Sequence, residues 1–427
     1  MHCGLKEFQS RGRKWKMKYT EQDLVRIAKR ENNNKRKYLV VNRLQGKHIP
    51  VKPCEAISMF RALADTLKGR YEKETLLVIG FAETATAIGV AVAAELGADY
   101  MQTTREIVPD ATYLYFSEEH SHATEQKLVK DDIDRVIGTI DRIVFVEDEV
   151  TTGKTILNII NILRKQYSEK IAFSVASVLN GMDETALDSY QKYDIELFWL
   201  VKTNHAAYTE IAESYRGDGR YIICKDDIEP EHIVIDQSAS ESDTTVISQI
   251  ARPILQNGKS GKEMANPEEK AIDGMVHMDY IKINQYMDTR RIVNPVEYAE
   301  YCAWLYQEIA ARTDLHSTQN MLVLGTEEYM YPALFVAKKF EEQGKDVRFH
   351  ATTRSPIAVS TEDDYPLHTR YELKSLYDSK RTTYIYDLQK YDTVVIITDA
   401  KGEVREGICS LVYALKVSGN GHIVLVS

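Results

Sequence analysis

The feature that most narrows the fold is a repetition. Leu76-Leu77-Val78-Ile79-Gly80 is echoed by Met321-Leu322-Val323-Leu324-Gly325, and each apolar run leads into a helical pattern that ends near a glycine, Gly97 or Gly344. Thr103-Thr104-Arg105 follows in the first copy and Thr352-Thr353-Arg354 in the second. Upstream, Lys37 to Asn42 and on to Pro53 parallels Asp279 to Asn284 and on to Pro295; downstream, Asp141 to Asp148 parallels Asp392 to Asp399. Matching blocks in one order, at a spacing that drifts only slowly, mark an internal duplication. Within each copy apolar strands alternate with helical patterns, the signature of α/β units joined by right-handed crossovers. The chain is therefore expected to hold two tandem α/β domains with mainly parallel sheets, and ligands in such sheets bind beyond the carboxyl ends of the strands.

One strand end carries chemistry. Arg142-Ile143-Val144-Phe145-Val146 is an apolar strand that reaches Glu147 and Asp148, passes Glu149 and Val150, and meets Thr151-Thr152-Gly153-Lys154-Thr155. Ile156, Ile159, Ile160 and Leu163 then repeat at helical spacing. The loop amides thus fall at a helix N-terminus, where unpaired N–H groups and the positive dipole end attract a phosphate. Gly153 allows close backbone approach, and the threonines add hydroxyl donors. Ionised Glu147 and Asp148 only accept hydrogen bonds, which suits the hydroxyls of a ribose. Whether they do this or simply face solvent is left to the structure. In the second copy Thr398-Asp399-Ala400-Lys401-Gly402-Glu403 keeps one acid and has no such loop, so that copy is expected to be degenerate.

Composition excludes several classes. The 427 residues contain no apolar run long enough to span a membrane, and the basic, polar start from Met1 to Lys18 lacks the apolar core of a signal peptide. A cytoplasmic protein is expected. Cys3, Cys54, Cys224, Cys302 and Cys409 are scattered without metal-ligand spacing, which argues against a zinc site or a disulfide framework. The net charge of −10 hides an asymmetry, since residues 1 to 37 carry 12 basic against 4 acidic side chains. That segment could attract a polyanion, but without an aromatic stacking pattern a solvated, partly disordered arm is the simpler reading. The division expected is a basic arm at 1–18, a first domain at 19–224, a polar linker at 225–275 and a second domain at 276–427.

The Glu147 to Thr155 pattern resembles the phosphoribosyl-pyrophosphate (PRPP) loop of type I phosphoribosyltransferases. The turn Gly80 to Thr86 is similar to that family's pyrophosphate loop. Arg30 to Val51 resembles the opening block of the orotate phosphoribosyltransferase-like branch, found with bacterial tellurite-resistance and stress genes. Thr353-Arg354-Ser355-Pro356 is the tetrapeptide after which that branch's C-terminal TRSP domain is named. Thr151 stands where hypoxanthine-type enzymes have an Asp, so a 6-oxopurine is disfavoured.

The resemblance implies transfer of ribose 5-phosphate from PRPP to a base with release of pyrophosphate, in a nucleotide- or nucleoside-like metabolic step. It implies Mg²⁺ held mainly through PRPP and waters, with no direct protein ligand. Glu147 and Asp148 would face the ribose, Thr151, Thr152, Gly153, Lys154 and Thr155 the 5-phosphate, and Ala82, Glu83, Thr84 and Arg105 the pyrophosphate. Lys47 and His48 would either contact the base or lie on the surface of a hairpin. His120 and His122, with His368 and Arg370 in the second copy, would belong to mobile loops. The resemblance also implies an intramolecular pseudo-dimer, compatible with further homo-oligomers, in which Arg354 reaches across to the first copy's site; a purely local salt bridge is the alternative. Neither membrane nor nucleic acid is an expected partner. The rival from another class is a PRPP- or nucleotide-sensing regulator without turnover. A PRPP synthetase, also built of two related halves, lacks a separate ATP-site motif here.

Overall fold

The structure, a computed structural model, describes residues 18–31, 33, 36–116, 126–167, 170–225, 276–400 and 405–427, with the backbone of 233–235. Both copies build a parallel sheet. In the first the strand order is Asp99–Gln102, Leu76–Gly80, Arg142–Val150, Ala172–Asn180, Ile195–Lys202. In the second it is Asp346–Ala351, Asn320–Gly325, Thr393–Ile397, His422–Val426, Val276–Ile281, with Ile233–Ile235 at the edge. The first four positions correspond strand for strand, so the duplication extends from sequence blocks to topology.

The fifth position does not correspond, and here one expected parallel breaks. Tyr38–Asn42 pairs antiparallel with Val25–Lys29 in a separate ribbon, whereas Val276–Ile281 joins the main sheet beside His422–Val426. Each segment takes the partner its copy offers. The correspondence resumes at Pro53 and Pro295, which open the helices Pro53–Asp65 and Pro295–Arg312 at a position where a missing N–H breaks no helical bond.

The two halves share one core. Thr86–Leu96 is apolar on nearly all sides, the pattern of a helix covered on both faces. It lies on its own sheet and meets Pro295–Arg312 and Tyr331–Glu342 of the second half; Pro53–Asp65 also packs on Tyr331–Glu342. A continuous apolar cluster takes in Phe60, Ile88 and Val92 from one half and Tyr298, Leu305 and Phe340 from the other. At about 1.5–3 kcal/mol for each large apolar side chain fully buried, this core alone favours permanent docking. Backbone bridges repeat the relation: Val51 and Phe349 exchange N–H···O bonds of 2.9 and 2.8 Å, and Tyr100 and Val293 exchange bonds of 3.0 and 2.8 Å.

Arg220–Ile223 pairs in parallel with Thr369–Lys374, which pairs antiparallel with Thr382–Tyr386. The end of the first domain thus adds a strand to a ribbon of the second, because that ribbon has an open edge to fill. Most of the expected linker and nearly all of the basic arm lie outside the described residues. The four described cysteines are free. No helix among the described residues is long and apolar enough to cross a membrane.

Candidate functional site

The strand Arg142–Val150 continues through the acids and stays paired with Ala172–Asn180 up to Val150. Alternation along a strand therefore puts Asp148 on one side and Glu147 and Glu149 on the other. Asp148 Oδ1 accepts a 2.9 Å bond from Thr84 Oγ1, which joins the acid pair to the Gly80–Thr86 turn. Burial and the neighbouring Glu149 charge push the Asp148 carboxyl above its usual range, and the Thr84 bond opposes them. Immediately after the strand, Thr151 and Thr152 are half-buried, Gly153 is buried, and Lys154 opens the helix Lys154–Gln166 with its side chain exposed.

Gly153 has φ +68°, and a Cβ there would lie 2.4 Å from both Tyr190 Oη and Met182 Cε. Tyr190 also donates to the Gly153 carbonyl at 2.6 Å. The glycine is thus required by backbone and packing, in addition to any close approach of an anion.

The Gly80–Thr86 turn is held from below. Ala82 N donates to Thr103 Oγ1 at 2.8 Å, Gln126 Nε2 to Ala82 O at 2.6 Å, and Gln45 Nε2 to Thr84 O at 2.6 Å. The Ala82–Glu83 peptide is cis. Glu83, expected at the pyrophosphate, is instead buried between the halves. Its carboxylate accepts from Thr353 Oγ1 at 2.8 Å and Arg354 N at 3.0 Å, and it lies 3.2 Å from Lys47 Nζ and 3.3 Å from Arg354 Nε. Burial alone would raise its pKa, but Lys47 and Arg354 outweigh burial and hold it down at about 2. Thr84 is the residue of this turn that reaches the acid pair; Ala82 and Glu83 shape its base.

The second half repeats this arrangement toward the first. Glu328 accepts from Thr104 Oγ1 at 2.7 Å and from Arg105 N at 3.0 Å. Thr352 Oγ1 takes the Glu327 amide at 3.0 Å, as Thr103 takes that of Ala82. Each half's Thr-Thr-Arg therefore grips the glutamate of the other half's turn.

The Arg354 side chain meets carboxylates of both halves. Nε lies 2.7 Å from Glu327, and Nη2 lies 2.5 Å from Glu106 and 3.3 Å from Glu328. With Glu83 this surrounds a guanidinium that is only 11% exposed. Its side-chain donors thus face acids of both halves. Asp399, the counterpart of Asp148, is bound by Tyr377 Oη at 2.5 Å and Arg290 Nη1 at 2.6 Å, so the second copy's acid is engaged within the protein.

Other expected positions are also corrected. Lys47 is neither a base contact nor a surface residue. It is fully buried, and Nζ donates to Glu327 O and Thr352 O at 2.9 Å each. His48 is 3% exposed; burial, aided by the Lys47 charge, lowers its pKa to about 3. His368 immediately precedes the strand Thr369–Lys374, and Arg370 lies within it, bound to Glu31 at 2.6 Å, so Arg370 is part of a strand and not of a loop. Their surroundings come from the second half's ribbon, which no local pattern announces. His120 and His122 lie outside the described residues. Arg105 is half-buried beside Glu328.

A group the sequence reading missed adjoins the acids. Arg36 Nη2 lies 2.7 Å from both Glu149 oxygens, and Tyr38 Oη meets His205 Nδ1 at 2.8 Å. The signal was strand alternation carried one residue past Asp148. Among the described residues no cluster of His, Cys, Asp and Glu is suited to hold a metal directly.

Residues 24–209 match the family model described as phosphoribosyl transferase. Residues 293–415 match the TRSP domain that lies C-terminal to it, and the chain belongs to the phosphoribosyltransferases that carry this second domain. No curated protein matches the chain. Similar solved structures include the adenine phosphoribosyltransferase of Rhodothermus marinus, at 15% identity over 43% of this chain and 96% of that one, TM-score 0.31. The Trypanosoma brucei adenine enzyme, solved with AMP, pyrophosphate and ribose-5-phosphate, is 16% identical over 35% of this chain and 65% of that one, TM-score 0.26. The orotate phosphoribosyltransferase of Aeropyrum pernix is 16% identical over 42% and 85%, TM-score 0.26. The family assignment rests on the two domain matches.

Proposed function

We propose that the first domain binds PRPP at the end of the Arg142–Val150 strand and transfers its ribose 5-phosphate to a ring nitrogen of a base. The observation that carries this is the 2.9 Å bond between Thr84 and Asp148. It brings the acid pair, the turn and the helix-capped threonine loop to one strand end. Thr151 to Thr155 would hold the 5-phosphate, Glu147 and Asp148 the ribose hydroxyls, and the Thr84 turn the departing pyrophosphate. Attack at C1 forms the N–C bond as the C1–oxygen bond to pyrophosphate breaks. Mg²⁺ would be held mainly through PRPP oxygens and waters, with the strand-end acids acting through the ribose hydroxyls or those waters, and would supply charge neutralisation of the pyrophosphate.

A sensing role without turnover is the second reading. One observation favours it: the cross-half Arg354 is already surrounded by Glu83, Glu106, Glu327 and Glu328. Pyrophosphate release from PRPP and Mg²⁺ with a panel of bases separates the two. Release with at least one base supports transfer; tight PRPP binding with no release supports sensing. Absence of PRPP and ribose 5-phosphate binding would remove both.

A further inference from the structure

Arg36 is held as a fixed guanidinium beside the acid pair. Glu149 takes its Nη2 with both oxygens at 2.7 Å, and its Cζ lies 4.4 Å from the centre of the Tyr38 ring. Tyr38 is anchored in turn: its hydroxyl meets His205 Nδ1 at 2.8 Å, His205 Nε2 meets Thr203 Oγ1 at 2.7 Å, and the His205 ring stacks on Tyr208 at 4.6 Å. The Glu149 carboxylate engages Nη2. Arg36 Nε is buried and has no partner among the described residues, although buried donors are nearly always paired.

The position of this group says what could pair with it. Glu149 follows Asp148 directly and points to the side of the strand away from Thr84. On the proposed reading the departing pyrophosphate belongs on the Thr84 side with Asp148, so the partner of Arg36 lies on the opposite side of the strand, that of Glu147 and Glu149. A guanidinium edge matches the paired oxygen lone pairs of a carbonyl or carboxylate. An amino group would set N–H against N–H.

We propose that Arg36, positioned by Glu149 and Tyr38, forms the acceptor subsite and takes a planar heterocycle bearing a carbonyl or carboxylate oxygen. This rests on PRPP occupying the strand end as read above.

The test is calorimetry on the full chain saturated with ribose 5-phosphate and Mg²⁺, with orotate and uracil as oxygen-bearing rings and adenine as the amino ring. An oxygen-bearing ring is expected to bind more tightly than adenine, and Arg36→Met to weaken it at least tenfold while ribose 5-phosphate affinity stays unchanged. Arg36→Lys keeps the charge opposite Glu149 and removes the fork; it is expected to melt like the native protein and still lose the ring. Tighter binding of adenine, an oxygen-bearing ring unaffected by Arg36→Lys, or no ring bound to a protein that holds ribose 5-phosphate would overturn the proposal. Failure of the native protein to bind ribose 5-phosphate would instead overturn the PRPP reading.

Discussion

Glu83 and Glu328 stand at the same place in the two copies, and each is gripped by the other copy. Thr353 Oγ1 and Arg354 N hold Glu83 at 2.8 and 3.0 Å; Thr104 Oγ1 and Arg105 N hold Glu328 at 2.7 and 3.0 Å. Basic side chains complete both grips, Lys47 at 3.2 Å from Glu83 and Arg290 at 3.2 Å from Glu328. A buried carboxylate needs such partners, because an uncompensated charge in the interior is strongly unfavourable.

Removing one partner should therefore cost more than removing both. Arg354→Met is expected to destabilise the chain by about 3–5 kcal/mol, the usual penalty for leaving a buried charge unpaired. Glu83→Gln in the same background should recover part of that loss. A denaturant double-mutant cycle measures it, and simple additivity would show that the two residues do not communicate.

Asp148→Asn should separate binding from folding. Burial and Glu149 already disfavour the Asp148 charge, so the unfolding midpoint should stay level or rise. PRPP affinity should fall about ten- to hundredfold, as expected for losing a hydrogen bond to a charged group, roughly 1.5–3 kcal/mol. Equal PRPP affinity in titration calorimetry would take Asp148 out of the site.

Acid should loosen the seam between the halves. Burial leads the causes that lower His48 to about 3 and His350 to about 4, from an ordinary 6.5. Below pH 6.5 the unfolded chain binds protons that the native one refuses. Their contribution is thus whole above pH 6.5 and lost as pH falls toward those folded values. At pH 5 this is roughly 2 kcal/mol for each histidine. Glu83, lowered from 4.5 to about 2, adds a loss of the same sign further down. Neither ring nitrogen of His48 has a hydrogen-bond partner among the described residues, so His48→Phe should flatten the stability slope between pH 6.5 and 5. An unchanged slope would assign the acid sensitivity elsewhere.

Gly153→Ala should harm the fold as well as the ligand. The added Cβ meets Tyr190 and Met182 at 2.4 Å in a left-handed backbone, and overpacking of this kind costs about 1–3 kcal/mol. Thr151→Val, outside that contact, should weaken ribose 5-phosphate binding with little change in melting. If the melting curve of Gly153→Ala matched the native one, the Tyr190 packing would not be the constraint.

Much of this was legible because it is local. The strand, the acid pair, the threonine loop and the repeated blocks are contiguous patterns, and the sheets follow them. Glu149 was passed over because the strand was read as ending at Asp148; continued pairing to Val150 turns Glu149 toward Arg36. Lys47 and His48 were misplaced for a different reason. Lys47 is buried by Glu327 and Thr352, residues so distant in sequence that only the docking of the two halves brings them near.

The reciprocal grips also bear on how such a chain can change over time. Two identical subunits are encoded once, so any substitution that spoils one site spoils both. Joined in a single chain, the copies can keep the Glu83 and Glu328 clasps while one strand-end acid stays beside Thr84 and the other, Asp399, becomes bound by Tyr377 and Arg290. On the proposed reading, a fused second copy is free from keeping a substrate site of its own and serves as a resident partner for the first.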